Sequence, residues 1–137
     1  MKALVDTNVL LDVLCHREPF WDSSLAIWGL SESHQIMGIV SALSVANLIY
    51  IMRKELNPER IPEIVRQISL VFTVSDLCAD DLNSAAEIRW KDYEDALQMV
   101  CAARNHADFI ITRNIRDFAE SPVPAIVPED FLKQIFA

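Results

Sequence analysis

The sequence predicts a three-layer α/β/α fold with a central, mainly parallel sheet of four to five strands. Short apolar runs typical of buried strands alternate along the chain with longer segments of helical periodicity. Helices between successive strands imply βαβ units, which make the strands parallel. The 137 residues are 52% hydrophobic, which suits one domain over residues 1–137 that buries about two-thirds of its unfolded surface.

The first half of the chain opens with an apolar run that ends at Asp6 and becomes helical at once. We then expect a helix over Phe20–Ser31, a strand over Gln35–Val40, a helix from Ser41 to about Leu56, and a helix opened by Asn57-Pro58. The helix from Ser41 is apolar nearly all round, which predicts that it is buried. The helix after Pro58 has one apolar face and is predicted to be amphipathic.

The second half continues the alternation of strands and helices. We expect a strand over Val71–Val74, a helix through Leu82–Ile88, a helix over Asp92–His106, a strand over Phe109–Thr112, a short helical turn at Asp117-Phe118, a strand over Ala125–Val127, and a last helix from Pro128. The fixed φ angle of proline suits that first helical turn.

The composition excludes several classes of function. A net charge of −8 argues against broad, non-specific nucleic-acid binding, which depends on many Lys and Arg contacts with phosphate. It is compatible with a metal site, because bound cations neutralise carboxylates. Gly29 and Gly38 are the only glycines, and neither lies in a phosphate-binding loop.

The cysteines and the chain's start indicate a cytoplasmic protein. Cys15, Cys78 and Cys101 are far apart in apolar segments, so we expect reduced thiols in the core. The histidines are equally scattered, which argues against zinc. The first apolar run is broken at Asp6 and is too short for a signal peptide, and no run approaches transmembrane length.

Polar residues follow several of the predicted strands. The carboxyl ends of parallel strands share one edge of the sheet, where ligands bind in open α/β folds. Asp6, Ser41, Asp76 and the segment from Thr112 to Asp117 should therefore lie near one another. Taken alone, Asp6 is better explained as a helix cap, a role that Asn8 could also fill. If Asp6 belongs to a site instead, the cap would be Thr7 or Asn8.

A second group of acids begins the Asp92–His106 helix. Asp92 with Asp95 three residues later resembles a capping box, and Glu94 is favoured there by the helix dipole. Asp95 is followed on its own helix face by Met99 and Ala102, so it is predicted to point inward. An inward acid requires a cation or a hydrogen-bond donor.

Two asparagines and a third acid complete the candidate site. Asn114 and Asp117 repeat the spacing of a cap and a residue three positions later. Asn47 lies on an apolar helix face and must find a polar partner or serve as a neutral oxygen ligand. Carboxylates about 4 Å apart repel by about 4 kcal/mol at an effective dielectric near 20, which a divalent cation offsets. Oxygen ligands favour Mg²⁺ or Mn²⁺ over zinc.

Together, these motifs resemble the PIN domain, a family of small metal-dependent nucleases that includes many bacterial toxins. Val5-Asp6-Thr7-Asn8 looks like the family's opening strand and first acid. Asp92-Tyr93-Glu94-Asp95-Ala96-Leu97 looks like its central acidic helix start, and Thr112-Arg113-Asn114-Ile115-Arg116-Asp117-Phe118 like its closing motif. The three motifs occur in the family's order across the whole chain.

The resemblance implies particular roles for these residues. Asp6, Asp95 and Asp117 would be catalytic, metal-binding acids, with Asn114 as a further ligand. Supporting positions would be Asn8, Asn47, Asp92, Glu94 and Thr112. Most of the family carries a glutamate where this chain has Asn47, so one negative charge is missing, which Asp92 or Glu94 could replace.

Three hypotheses follow. The first is a Mg²⁺- or Mn²⁺-dependent endoribonuclease, the toxin of a toxin–antitoxin pair, with an RNA substrate, an antitoxin partner and a homodimer implied by resemblance. The second is a catalytically weakened PIN module that binds RNA or a protein without cleavage, as Asn47 suggests. The third, a phosphotransfer domain, is disfavoured because no lysine lies between Pro122 and Pro128.

Seven cations lie near the candidate site in sequence. Each is better explained as a solvated surface charge than as a phosphate contact, and Arg113 and Arg116 lie closest to the acids. The seven are Arg53, Lys54, Arg89, Lys91, Arg104, Arg113 and Arg116.

Overall fold

A computed structural model describes residues 1–137. Five short strands form one parallel sheet, with seven α-helices around it. The strands are β1 (Lys2–Val5), β2 (Met37–Ser41), β3 (Thr73–Ser75), β4 (Phe109–Ile111) and β5 (Ala125–Ile126). The helices are α1 (Thr7–Leu14), α2 (Trp21–Glu32), α3 (Ala42–Met52), α4 (Ile61–Val71), α5 (Ala79–Ile88), α6 (Tyr93–Arg104) and α7 (Pro128–Ile135). Short 3₁₀ turns lie at Pro58–Arg60 and Ile115–Phe118.

The strand order is β3-β2-β1-β4-β5, so the first strand is the middle one. Leu4 of β1 is paired with Ile39 of β2 on one side and Ile110 of β4 on the other. The chain builds the sheet outward from β1 in one direction through β3 and in the other through β4 and β5. The direction in which strands are added to the sheet therefore changes between β1 and β4, and open parallel sheets bind ligands at such a position.

The side chains of β1 alternate between two cores. Ala3 and Val5 belong to the larger core, which contains residues of α1, α2, α3, α4 and α7. Leu4 belongs to the smaller core, with Met99 and Ala102 of α6. Because successive strand residues point to opposite faces, Asp6 continues the Leu4 side toward α6. The three-layer α/β/α prediction is confirmed, and the sheet is wholly parallel.

The prediction that the helix after Ser41 is buried was wrong. Helix α3 ends at Met52 instead of about Leu56, and Tyr50 and Ile51 are 63% and 47% exposed. Only Ser44 and Leu48 are fully buried within it. Its other face borders an open cavity, so the apolar side chains of Leu43, Tyr50 and Ile51 line that cavity.

Two smaller expectations also differ. Strand β2 begins at Met37, two residues later than expected, and β3 begins at Thr73 because α4 continues through Val71. Only Cys101 is a buried thiol, whereas Cys15 and Cys78 are exposed because they stand at helix ends on the surface. None of the helices combines the length and apolarity needed to cross a bilayer.

Candidate active site

Asp6 is held by four hydrogen bonds at the end of the central strand. Its Oδ1 atom accepts from the Thr7 backbone N–H at 2.8 Å and from Gln98 Nε2 at 3.0 Å. Its Oδ2 atom accepts from Thr112 Oγ1 at 2.8 Å and from Asn8 Nδ2 at 3.4 Å. Asp6 is therefore the cap of α1 and also a member of the site, so the expectation that Thr7 or Asn8 replaces it as cap was wrong.

Gln98 is a site residue that sequence reasoning missed. Its side chain is 5% exposed, and Nε2 also donates to Ser44 Oγ at 2.8 Å. Ser44 Oγ in turn accepts from Thr7 Oγ1 at 2.8 Å. The signal was available, since Gln98 lies three residues after Asp95 and shares its helix face. The Gln98 Oε1 atom is buried without any hydrogen-bond partner.

Two cavities meet at Asp95. The first has a volume of about 320 Å³, and the second of about 780 Å³. The first is lined by Asp6, Thr7, Asn8, Leu11, Leu43, Ser44, Asn47, Tyr50, Ile51, Glu94, Asp95 and Gln98. The second is lined by Ile88, Arg89, Trp90, Lys91, Asp92, Asp95, Arg116, Asp117, Ala119 and Glu120. The fold thus brings acids from three distant chain segments, around Asp6, Asp95 and Asp117, into a depression formed by these two cavities.

Asp95 has the most perturbed carboxyl group of this depression. Partial burial, followed by the negative charges of Asp92, Asp117, Asp6 and Glu94, raises its pKa to about 7. Four other acids lie near Asp95, although Arg89, Lys91 and Arg116 line the second cavity with it. A carboxyl group with such a pKa exchanges its proton near neutral pH.

The acids at the start of α6 have separate roles. Asp92 caps the helix by accepting from the Asp95 backbone N–H at 3.1 Å. The Asp95 side chain does not return this bond, so the predicted capping box is half formed and Asp95 is left to the site. Glu94 Oε2 accepts from Asn47 Nδ2 at 3.4 Å. Asn47 therefore has a polar partner among the acids, which is one of the two alternatives that the sequence left open for it.

The residues of the closing motif, Thr112 to Phe118, contribute unequally to the candidate site. Thr112 is fully buried and orients Asp6. Asp117 is exposed on the 3₁₀ turn and lines the second cavity. Asn114 lines neither cavity. Its backbone N–H donates to Thr112 Oγ1 at 3.1 Å, and its backbone carbonyl accepts from the Asp117 N–H at 3.0 Å. Asp76, expected near these residues, also lines neither cavity because β3 is the far edge strand.

The donor set fits a hard divalent cation. Every candidate ligand offers oxygen, and the unpartnered Gln98 Oε1 atom adds a buried oxygen beside Asp6. No three carboxylates yet lie close enough together to hold one ion. Binding would therefore have to draw the acids closer than they lie without it.

Two of the seven nearby cations are tied to acids outside both cavities. Arg104 donates to both carboxylate oxygens of Asp81, at 3.0 and 2.9 Å. Arg113 Nε donates to Asp12 Oδ2 at 2.9 Å, and its guanidinium lies 4.1 Å from the centre of the Phe20 ring. Arg89, Lys91 and Arg116 instead line the second cavity.

The fold and this depression define a class: a parallel α/β domain with a carboxylate-rich site at the carboxyl ends of its central strands. The PIN domain family profile matches residues 2–116. The chain belongs to the PIN domain family. A search of curated proteins finds no match.

Solved structures with similar folds come from several organisms. VapBC2 from Rickettsia felis, bound to a promoter DNA fragment, is 18% identical, with 93% of this chain and 98% of that chain covered and a TM-score of 0.67. A toxin–antitoxin complex from Klebsiella pneumoniae is 22% identical, with 92% and 97% covered and a TM-score of 0.69. VapC20 from Mycobacterium tuberculosis, a Sarcin-Ricin loop cleaving toxin, is 13% identical, with 79% and 86% covered and a TM-score of 0.63. At these identities the likeness establishes the fold.

Proposed function

We propose that this chain is a Mg²⁺- or Mn²⁺-dependent endoribonuclease that hydrolyses RNA phosphodiester bonds. The observation that carries the proposal is that Asp95, whose pKa is raised to about 7, lines both cavities, with Asp6 in the first and Asp117 in the second. Membership of the PIN family and similarity to toxin–antitoxin structures support the role of a toxin with an antitoxin partner. A homodimer remains part of the proposal.

The metal would be held by Asp6, Asp95 and Asp117. Glu94, which accepts a hydrogen bond from Asn47, is the carboxylate available to compensate for a neutral residue at that position. When bound, it would supply positive charge that activates water and neutralises the leaving oxygen. The water oxygen bonds to phosphorus as the bond to the leaving ribose oxygen breaks. A carboxylate oxygen of Asp95 accepts the water's proton, and solvent protonates the leaving oxygen. Asp6 keeps its orientation because four donors fix both of its oxygens.

The test is RNA cleavage by the purified protein with and without metal. We expect cleavage in Mn²⁺ that EDTA abolishes and that falls at least about a hundredfold in Asp6→Asn and in Asp95→Asn, the scale for losing a group that stabilises transition-state charge. Asp80→Asn is the matched control, because Asp80 is exposed on α5 and lines neither cavity. Cleavage that survives both EDTA and the Asp6 and Asp95 substitutions would refute the proposal.

One observation favours the second hypothesis, a PIN module that binds without cutting. No three carboxylates are assembled around a common point, and Asn47, which the resemblance places where the family usually has a glutamate, donates to Glu94. Calorimetric titration with Mn²⁺ separates the two. A nuclease should bind the ion at or below millimolar concentration, whereas a module without a metal site should give no heat of binding.

A further inference from the structure

The second cavity carries three cationic side chains without acidic partners. Arg89, Lys91 and Arg116 line it, and none of them is in an ion pair. Arg104 and Arg113, the other arginines close to it in sequence, are occupied by Asp81 and Asp12. Four acids, Asp92, Asp95, Asp117 and Glu120, line the same cavity, and none of them forms an ion pair with these cations.

The groove continues directly from the candidate active site. Asp95 lines both cavities, and Asp117 lies in the groove with the three cations. A polymer cleaved at Asp95 must extend beyond the broken bond on at least one side. The larger cavity, of about 780 Å³, is the available path on the side away from α3.

An aromatic residue lies among these cations. Trp90 is half-buried, and its ring packs edge-on against Phe118 at a centroid distance of 6.1 Å. It also lines the groove between Arg89 and Lys91 in sequence. Cations that track a backbone together with an aromatic ring for bases are the features that bind single-stranded nucleic acid. An acidic peptide would use the cations but has no bases to stack.

We propose that the groove formed by Arg89, Trp90, Lys91 and Arg116 binds the backbone of single-stranded RNA on one side of the scissile phosphate. The proposal rests on the proposed function for the position of that phosphate. Each cation neutralises backbone charge, and Trp90 contacts a base. The acids repel a phosphate in the absence of metal, so the cations and Trp90 of the groove would supply the binding energy for the RNA.

The experiment measures binding separately from cleavage. The probe is a fluorescein-labelled 12-nucleotide oligouridylate, titrated with the full chain in EDTA at several NaCl concentrations and followed by fluorescence anisotropy. The test variant is Arg89→Gly/Lys91→Ala/Arg116→Ala. Glycine is chosen because Arg89 has a φ of 64°, so this change relieves backbone strain while removing the charge. The control variant Arg60→Ala/Arg66→Ala/Lys133→Ala removes the same charge from α4, α7 and the turn before α4.

We expect the groove variant to bind at least about tenfold more weakly than wild type at 100 mM NaCl. Its plot of log affinity against log salt should be less steep by about 2, since each single-strand phosphate contact contributes about 0.7. The control should lose much less affinity. Equal losses in the two triple variants, or displacement of the probe by polyglutamate more readily than by unlabelled oligouridylate, would overturn the proposal. If the groove variant loses binding while wild type never cleaves RNA, the groove stands and the nuclease proposal fails.

Discussion

Asp6 and Asp95 show how surroundings give two aspartates of one site different properties. Asp6 is 8% exposed, yet each of its oxygens accepts two hydrogen bonds, so its charge is compensated by donors from three chain segments. Asp95 has no such donors and faces four other acids. The site therefore combines one carboxylate of fixed orientation with one that takes up a proton easily.

This contrast predicts a pH-dependent stability for the metal-free protein. Burial and the neighbouring acids raise the pKa of Asp95 to about 7 from an ordinary 3.8. The folded state then holds this proton more tightly than the unfolded state does. Its contribution to stability is present in full below about pH 3.8 and is lost as the pH rises through 7. We expect Asp95→Asn to be more stable than wild type at pH 8 and to show no comparable advantage at pH 4.

The measurement is urea unfolding in EDTA at pH 4, 6 and 8. Asp80→Asn serves again as the control, because Asp80 is exposed and has no part in the acidic depression. A stability difference between wild type and Asp95→Asn that does not change across this range would contradict the assigned origin of the pKa shift.

The sequence predicted the candidate acids and two of the side chains that donate to Asp6, Asn8 and Thr112, but it did not predict Gln98. Asp6, Asp95 and Asp117 could be identified because each follows a strand or begins a helix, and local sequence patterns predict such positions. Gln98 could not, because its partner Asp6 is 92 residues away and only the packing of α6 on the sheet brings them together. Asn114 illustrates the reverse, since the family resemblance implied a ligand there whereas Asn114 lines neither cavity.

At the scale of elements, a buried ion pair joins the two chain segments that carry the site. Asp12 on α1 is fully buried and accepts from Arg113 Nε at 2.9 Å and from Ser24 Oγ of α2 at 3.1 Å. Arg113 lies in the loop after β4 and is mostly buried against Phe20. The pair thus fixes α1, which follows Asp6, to the loop that leads to Asp117.

Breaking this pair by removing only the cation should be strongly destabilising. Arg113→Leu leaves a charged Asp12 buried without its partner, for which we expect a loss of about 3–5 kcal/mol in the free energy of unfolding. The double variant Asp12→Leu/Arg113→Leu should be less destabilised than the single change, because no buried charge is left. Urea unfolding at pH 7 measures both.

The control for this pair is Lys133→Leu. Lys133 and Asp130 form an exposed pair at 3.8 Å on α7, which should contribute no more than about 1 kcal/mol. If Arg113→Leu is no worse than Lys133→Leu, the buried pair does not stabilise the arrangement of these elements.

Helix α3 shows what a hydrophobic pattern leaves open at this scale. Its apolar residues predicted a buried helix, but a pattern does not distinguish a side chain facing the core from one facing a cavity. Tyr50 and Ile51 line the first cavity and are exposed there. The helix and its polar positions could be predicted from the sequence. Its end at Met52 and the exposure of one of its faces depend on how it packs in the fold.

For the whole molecule, the fold class followed from the sequence more completely than the sheet order did. Alternation of strand and helix patterns is sufficient for a parallel three-layer architecture. It does not give the order β3-β2-β1-β4-β5, which depends on where each crossover returns. That order decides which strand ends are adjacent, so Thr112 meets Asp6 while Asp76 lies at the edge.

The last prediction concerns the stability of the whole domain on binding metal. The chain carries a net charge of −8, and the negative charges of four neighbouring acids help to raise the pKa of Asp95. An ion that binds only the folded state stabilises it by about 2.7 kcal/mol at a hundred times its dissociation constant. For a domain of this size, that should raise the midpoint of thermal unfolding by several degrees.

Mn²⁺ should produce this rise in wild type at pH 7, measured by circular dichroism during heating. It should be absent in Asp6→Asn/Asp95→Asn and retained in Asp80→Asn, with NaCl added to the reference samples to match the ionic strength. A similar rise in all three proteins would show that the ion acts on the acidic surface at large. If the midpoint of thermal unfolding of wild type does not rise, the proposal of a metal site is refuted. The hypothesis of a PIN module that binds without cleavage is then favoured.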